Sequence, residues 1–294
     1  GSSRASASGW AWHRRRGSRH IHRLPSLLDY QSLLTPHRMP RGGLITQDLL
    51  CAAASSSQAK LRPKESTEKF LARQTHLHLN DRRLTSSALP SGCCPSLKAL
   101  YLFDNEIQIL EGLGPLAQLT HLYAQNNSIS EVASDVGSLT RLRKLYLNGN
   151  RLRSLTPLAP LVALEELQVS SQKLPAGMAL DLGAAALGMM SGLRVLAVAN
   201  NGLMSVNDLK CCKALEVVDL SKNQLRTLAD MADLITAAPV RELDLRGNEI
   251  SDSRVELDSV IVASPTMQSL NGRDLMQSER PYLQHVCAAR SVIR

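Results

Sequence analysis

Apolar residues recur along the chain in a long, regular figure. Leu97, Leu100, Leu102, Asn105 and Ile107 mark the pattern Leu-x-x-Leu-x-Leu-x-x-Asn-x-Ile, and Leu119, Leu122, Ala124, Asn127 and Ile129 mark it again. The asparagine position continues at Asn150, Gln172, Asn201, Asn223 and Asn248, with steps of 22, 23, 22, 29, 22 and 25 residues from Asn105 onward. A weaker first copy, "THLHLNDRRL", has Leu77, Leu79 and Leu84 in register and Arg82 at the asparagine position, which makes eight copies. An atypical ninth, Met267 to Leu275, reads as the start of a terminal cap. In Leu-x-Leu the two leucines share one face of a short strand, because strand side chains alternate with period two. The polar residues between them therefore face outward.

A repeat of this length and composition predicts an α/β leucine-rich-repeat solenoid, with a curved parallel sheet on the concave side and short 3-10 turns on the convex side. Each asparagine turns the chain off the sheet and offers its amide to backbone groups that a tight coil would otherwise bury unpaired. Asn105, Asn127, Asn150, Gln172, Asn201, Asn223 and Asn248 should thus form a structural ladder, irregular at Gln172 and at Arg82. After each rung the chain is too short and too rich in Gly and Pro for a full helix, except from Leu174 to Gly192, where an insertion leaves room for a loop or a helical turn or two. A solenoid exposes core at both ends and needs caps. Ser66 to Arg73 suits a short amphipathic helix carrying Phe70 and Leu71, and Ser278 can cap a helix with Leu283, Val286 and Cys287 on one side. The expected organisation is a basic extension over 1–43, an N-terminal helical cap over 44–74, repeats over 75–264 and a C-terminal cap over 265–294.

The outward positions read, in one column, His78, Tyr101, Tyr123, Tyr146, Gln168, Ala197, Asp219 and Asp244. The next column reads Asn80, Phe103, Gln125, Asn148, Ser170, Ala199, Ser221 and Arg246. Tyr101, Phe103, Tyr123 and Tyr146 lie where the repeat requires nothing apolar. Aromatics are good strand residues and can stack merely to protect a sheet. Exposed on a stiff platform, they also give contact area at low ordering cost, which favours a partner-binding face made of His78, Tyr101, Phe103, Tyr123, Tyr146, Asn148 and Gln168. Asp219, Glu242 and Asp244 make its other end acidic.

Charge changes this picture little. The net charge is +8, but residues 1–38 hold seven Arg against Asp29 alone, so the remainder is nearly balanced and gives no case for nucleic acid. That Arg- and Ser-rich segment is expected to be a disordered extension ahead of a start at Met39, with a targeting segment as the alternative. The six cysteines, at 51, 93, 94, 211, 212 and 287, have neither zinc spacing nor a comfortable pairing between neighbours and read as reduced thiols of an intracellular protein. No apolar run reaches membrane-spanning length.

Catalytic chemistry is poorly represented. His76 and His78 share a strand, and His121 falls in the column of His76 with Ala99 between, two strand spacings away and too far for one zinc ion. Asp219 and Asp244 are neighbours without a nucleophile, an oxyanion donor or a phosphate loop. "GLGPLA" from Gly112 imitates part of a dinucleotide fingerprint but sits inside a repeat. The expectation is a monomeric, non-enzymatic binding protein without metal or cofactor, membrane contact or nucleic acid. An RNA-particle protein that stacks bases on the tyrosines is the distant rival.

The segments "LITQDLL", "KLRPKESTEKFLARQTHLHLND", "LYLFDNEI", "LTHLYAQNNSI", "LRKLYLNGN" and "SSQKLP" resemble the short-repeat leucine-rich family of protein phosphatase-1 regulators, from about Leu44 to Leu283. The resemblance implies a non-catalytic regulator that holds the phosphatase catalytic subunit in its concave surface, at the centrosome, basal body or cilium, with tubulin or motor proteins as further contacts. A tubulin-handling or axonemal scaffold with no phosphatase role is the alternative. The chain lacks the Arg/Lys-x-Val/Ile-x-Phe/Trp docking motif, since "RVELD" at Arg254 has no aromatic, so a phosphatase contact must use the curved sheet.

Overall fold

The computed structural model describes residues 43–56 and 61–292, all within a compact unit that spans 40–294. The expectations for residues 1–42 lie outside the described residues. Two helices close the N-terminal end, α1 (Gln47–Ser56) and α2 (Thr67–Ala72). Ser66 caps α2, its hydroxyl accepting from the Lys69 N–H at 3.4 Å. Leu49, Leu50, Phe70 and Leu71 are buried beneath the first strand.

Twelve short strands follow: β1 (His76–His78), β2 (Ala99–Tyr101), β3 (Ile109–Leu110), β4 (His121–Tyr123), β5 (Glu131–Val132), β6 (Lys144–Tyr146), β7 (Glu166–Gln168), β8 (Val195–Ala197), β9 (Val217–Asp219), β10 (Glu242–Asp244), β11 (Ser269–Leu270) and β12 (Arg273–Asp274). Ten form one sheet in the order β1-β2-β4-β6-β7-β8-β9-β10-β11-β12, parallel throughout except for the antiparallel last pair. Leu77, Leu100, Leu122, Leu145, Leu167, Leu196, Val218, Leu243 and Leu270 are register partners from strand to strand and form a continuous inward row. The small β3-β5 pair runs parallel on the flank.

The bend after each strand is held by the amide ladder. Asn150 is typical: its Nδ2 donates to Ala124 O at 2.9 Å and Leu147 O at 2.8 Å, and its Oδ1 accepts from Ile129 N at 3.0 Å. Each rung thus ties its own coil to the preceding one. Asn105, Asn127, Asn201, Asn223 and Asn248 are buried and bonded in the same manner. Gln172 departs from the expected irregularity, because its longer side chain still reaches Leu147 O and accepts from Leu152 N at 2.9 Å. The irregularity lies two residues on: Asn201 accepts from Gln172 N, while Leu174 N turns back to Gln172 O instead of reaching the next rung. At Arg82 the backbone keeps the ladder without an amide of its own, as Arg82 N and Leu84 N both donate to Asn105 Oδ1.

The residue before each rung adopts a left-handed conformation, with φ between 53° and 72° at Asp81, Asp104, Asn126, Gly149, Ser171, Asn200, Lys222 and Gly247. Asn, Asp and Gly tolerate that region best, and they hold six of these eight positions. Gly112 serves the packing of coils rather than a nucleotide: at its φ of +70°, a Cβ would lie 2.4 Å from that of Ala88. Asp135 completes this turn by accepting from Leu113 N and Gly114 N at 2.9 and 3.1 Å.

The convex side carries 3-10 turns at Ser134–Ser138, Thr156–Leu158, Asn207–Cys211, Leu228–Asp230 and Glu249–Asp252. It also carries true helices where the repeats are longer: α3 (Ala184–Met189) in the inserted segment, α4 (Ala232–Ala237) and α5 (Arg254–Ala263). The C-terminal cap is α6 (Glu279–Val292), which buries Leu283. Buried Asp258 of α5 meets both Arg254 at 3.2 Å and Arg290 of α6 at 3.1 Å, locking the cap to the last repeat. The cysteines are free thiols, and burial pushes those of Cys94 and Cys212 up to about 12.

Replacing Asn150 by Ala strands the buried Ile129 N–H and removes one of the two donors on Ala124 O and on Leu147 O, which keep Asn127 Nδ2 and Gln172 Nε2, so the cost is about 1–3 kcal/mol for the one group left without a partner. Chemical denaturation of the Asn150→Ala variant should show a loss of at least that order. An unchanged midpoint would contradict the ladder's role.

Candidate protein-binding surface on the concave sheet

The sheet register brings the first outward column together as a physical row. His78 pairs with Tyr101, Tyr101 with Tyr123, Tyr123 with Tyr146 and Tyr146 with Gln168. The rings of His78 and Tyr101 stack at 4.2 Å and 8°, and those of Tyr101 and Tyr123 at 4.7 Å and 4°. Strand spacing is close to ring-stacking distance, so parallel strands in register with the same χ1 necessarily produce such a pile. His78, Tyr101, Phe103 and Tyr123 are each half-buried.

Tyr146 corrects the expectation of an exposed anchor, because only 3% of it is open to solvent. It breaks the stack, lying edge-on to Tyr123 at 4.9 Å and 90°. Its hydroxyl donates to Glu166 Oε1 at 2.5 Å, and that carboxylate also receives Lys144 at 2.7 Å and Gln168 Nε2 at 3.0 Å. A buried phenol keeps its hydroxyl satisfied, and Glu166 is the acceptor in reach. Asn148 closes the same network, donating to Gln168 Oε1 at 3.1 Å and accepting from Ser170 N at 2.8 Å. The network of Tyr146, Glu166, Gln168 and Asn148 is therefore internally satisfied, whereas the buried Gln125 Oε1 beside it has no partner among the described residues, and the accessible aromatic surface lies on the first three coils.

The far end also differs from the expected open acidic patch. Asp244 is buried and bonded by the Arg246 guanidinium, with Nε 2.9 Å from Oδ2. Asp219, its register partner, accepts from Ser221 N at 2.9 Å. Burial is the main cause that raises the Asp219 carboxyl above its usual range, with the Asp244 charge a smaller one. Glu242 is raised by burial and, less, by Asp274. Half-buried Asp219 and Glu242 remain at the surface, with the Arg246 charge partly offsetting that of Asp219.

His76, Ala99 and His121 are successive register partners. Among the described residues no group of three or more His, Cys, Asp or Glu is placed to hold a metal ion, and no helix is long and apolar enough to cross a membrane.

Comparison with known proteins agrees with this architecture. The family described as leucine-rich repeats in two copies matches residues 117–160, and a single leucine-rich repeat matches residues 238–253. Among solved structures, an internalin (inlF) from Listeria monocytogenes superposes with a TM-score of 0.54 at 22% identity, over 75% of this chain and 67% of its own. An internalin C2 (inlC2) of the same organism gives a TM-score of 0.47 at 19% identity, over 75% of this chain and 80% of its own. The chain is a leucine-rich-repeat solenoid, and the likeness to the first internalin is one of fold.

Burial first, and the neighbouring His76 second, hold the His78 imidazole below its usual pKa. The neutral ring is thus the stable form on folding, and its contribution is present above about pH 6.5, the unfolded value, and lost as pH falls towards the folded value. A His78→Phe variant keeps the stack and removes the titration. Its melting temperature should fall less than that of the parent between about pH 7.5 and about pH 5.5, and an equal fall would place the acid sensitivity elsewhere.

Proposed function

We propose that this chain is a non-catalytic protein-binding scaffold whose concave sheet takes a partner protein, and that the partner is the catalytic subunit of protein phosphatase-1. The observation that supports a binding face is the ring stack of His78, Tyr101 and Tyr123 with Phe103 beside it, half-exposed on three adjoining coils. A stack anchored in paired strands is already ordered, so burying it against a partner costs little conformational entropy. Aromatic groups held this way are the usual centres of binding energy. Chemistry would be left to the partner, which the scaffold positions. The phosphatase reading, and a site of action at the centrosome or cilium basal body, rest on the resemblance of "LRPKES" and "SSQKLPAG" to the testis leucine-rich-repeat member of the regulator family. Tubulin or a motor protein is the alternative partner for the same face.

Capture of the phosphatase catalytic subunit by the full chain should drop about tenfold or more in a Tyr101→Ala, Tyr123→Ala double variant, as expected when two anchors worth at least about 1–2 kcal/mol each are lost. Undiminished capture by the variant would reject the concave stack as the binding face. Failure of the parent to capture the phosphatase, with capture of tubulin instead, would reject the phosphatase and keep the scaffold.

A further inference from the structure

The flank of the solenoid that follows the ladder carries a second surface, separate from the concave sheet. There the residues one and three positions beyond each rung lie at the surface on either side of an apolar residue, buried at most rungs, such as Leu152 between Arg151 and Arg153, and half-buried at Leu174 between Lys173 and Pro175. The first of these columns reads Glu106, Ser128, Arg151, Lys173, Gly202, Gln224 and Glu249. The second reads Gln108, Ser130, Arg153, Pro175, Met204, Arg226 and Ser251. Arg151, Arg153 and Lys173 fall on two adjoining coils, and with Gln108, Ser128 and Ser130 they line an open depression of about 490 Å³.

The three cations are exposed, and among the described residues none of them has an ion pair or a side-chain hydrogen bond. Four other cations of the repeats differ in this. Arg143, Lys144, Arg194 and Arg226 each meet a glutamate of the next coil, at 3.2, 2.7, 2.5 and 3.1 Å. For these four an acid lies one coil away from the base, whereas a second base, Lys173, falls in the column of Arg151. Three like charges around one depression repel each other, and an anion seated between them relieves that repulsion.

We propose that this depression binds a phosphorylated side chain on an acidic segment of a partner protein. A phosphoserine carries about −1.5 to −2 charges and three acceptor oxygens, which matches two planar guanidiniums, one ammonium and the hydroxyls of Ser128 and Ser130. Arginine pairs bidentately with such a group, and lysine adds a point charge. The basic patch is short, since its column runs into Glu106 on one side and into Gly202 and Gln224 on the other. A nucleic-acid backbone, with phosphates at regular intervals, would need a longer stripe. A single phosphoryl group flanked by carboxylates fits the footprint. The site needs nothing from the concave stack and stands independently of the partner proposed for that face.

Fluorescence anisotropy with the full chain at low ionic strength tests it. The probes are a short labelled peptide with one phosphoserine between glutamates, its unphosphorylated counterpart and a labelled single-stranded RNA. The phosphopeptide should bind about tenfold or more tighter than the unphosphorylated peptide. The Arg151→Ala, Lys173→Ala double variant, whose altered side chains are exposed and should leave the melting curve unchanged, should lose about tenfold or more of that affinity, one such factor being about 1.4 kcal/mol. Arg226→Ala, in the same column as Arg153 but paired with Glu249 in the parent, should bind as the parent does. Equal binding of the two peptides, no binding of the phosphopeptide, insensitivity to the double variant, or tighter binding of the RNA through the same residues would each overturn the proposal.

Discussion

A parallel sheet that coils on itself must turn its backbone sharply after every strand, and each turn buries carbonyls and N–H groups that no strand partner can reach. The ladder of Asn105, Asn127, Asn150, Gln172, Asn201, Asn223 and Asn248 is the answer to that constraint. One amide has two donors and two lone pairs, enough to close its own turn and to bind the turn before it. An apolar residue there would leave these groups unpaired, and a charged one would have to lose its hydration. Since every rung spans two coils, the ladder also sets the register from one strand to the next. The apolar row from Leu77 to Leu270 then packs as one continuous core.

The outward surfaces follow from that register. Equivalent positions on neighbouring coils lie a strand spacing apart, so like residues stack and opposite charges pair. His78, Tyr101 and Tyr123 stack because strand spacing nearly equals ring-stacking distance. Lys144 and Glu166, or Arg194 and Glu216, pair for the same geometric reason. Such surface pairs contribute little stability one by one, but they neutralise the columns in which they occur. Two surface features are not used by the fold itself, the aromatic stack on the first concave coils and the cations on the flank near Arg151.

The fold was legible because the repeat speaks through period alone. Leucine spacing predicted the inward row, the concave sheet, the convex turns and the helical ends, and the comparisons agree on a leucine-rich-repeat solenoid. The left-handed residue before each rung was also readable, since Asp81, Asp104, Asn126, Gly149, Asn200 and Gly247 are the residue types that such a backbone favours, yet leucine counting passes over them. Gln172 shows a limit of reading residue types in isolation, because its longer side chain still makes the rung bonds to Leu147 O and Leu152 N and the irregularity falls at Leu174. Tyr146 and Asp244 show another. Alternation assigns both to the outer face, but whether an outward side chain is exposed depends on the neighbours that cover it, here Glu166 with Tyr123 and Arg246. Those partners lie on other coils or two residues on, and no period predicts their rotamers.

Residue-resolved hydrogen exchange on the native chain tests the ladder most directly. The N–H groups of Ile107, Ile129, Leu152, Leu203 and Leu225 lie outside the strands of the sheet and donate to side-chain amide oxygens rather than to backbone carbonyls. If the ladder holds the coils together, these five should exchange as slowly as the amides of the central strands, because both open only when the coils separate. Exchange as fast as that of exposed turn amides such as Ala176 or Gly177 would contradict it.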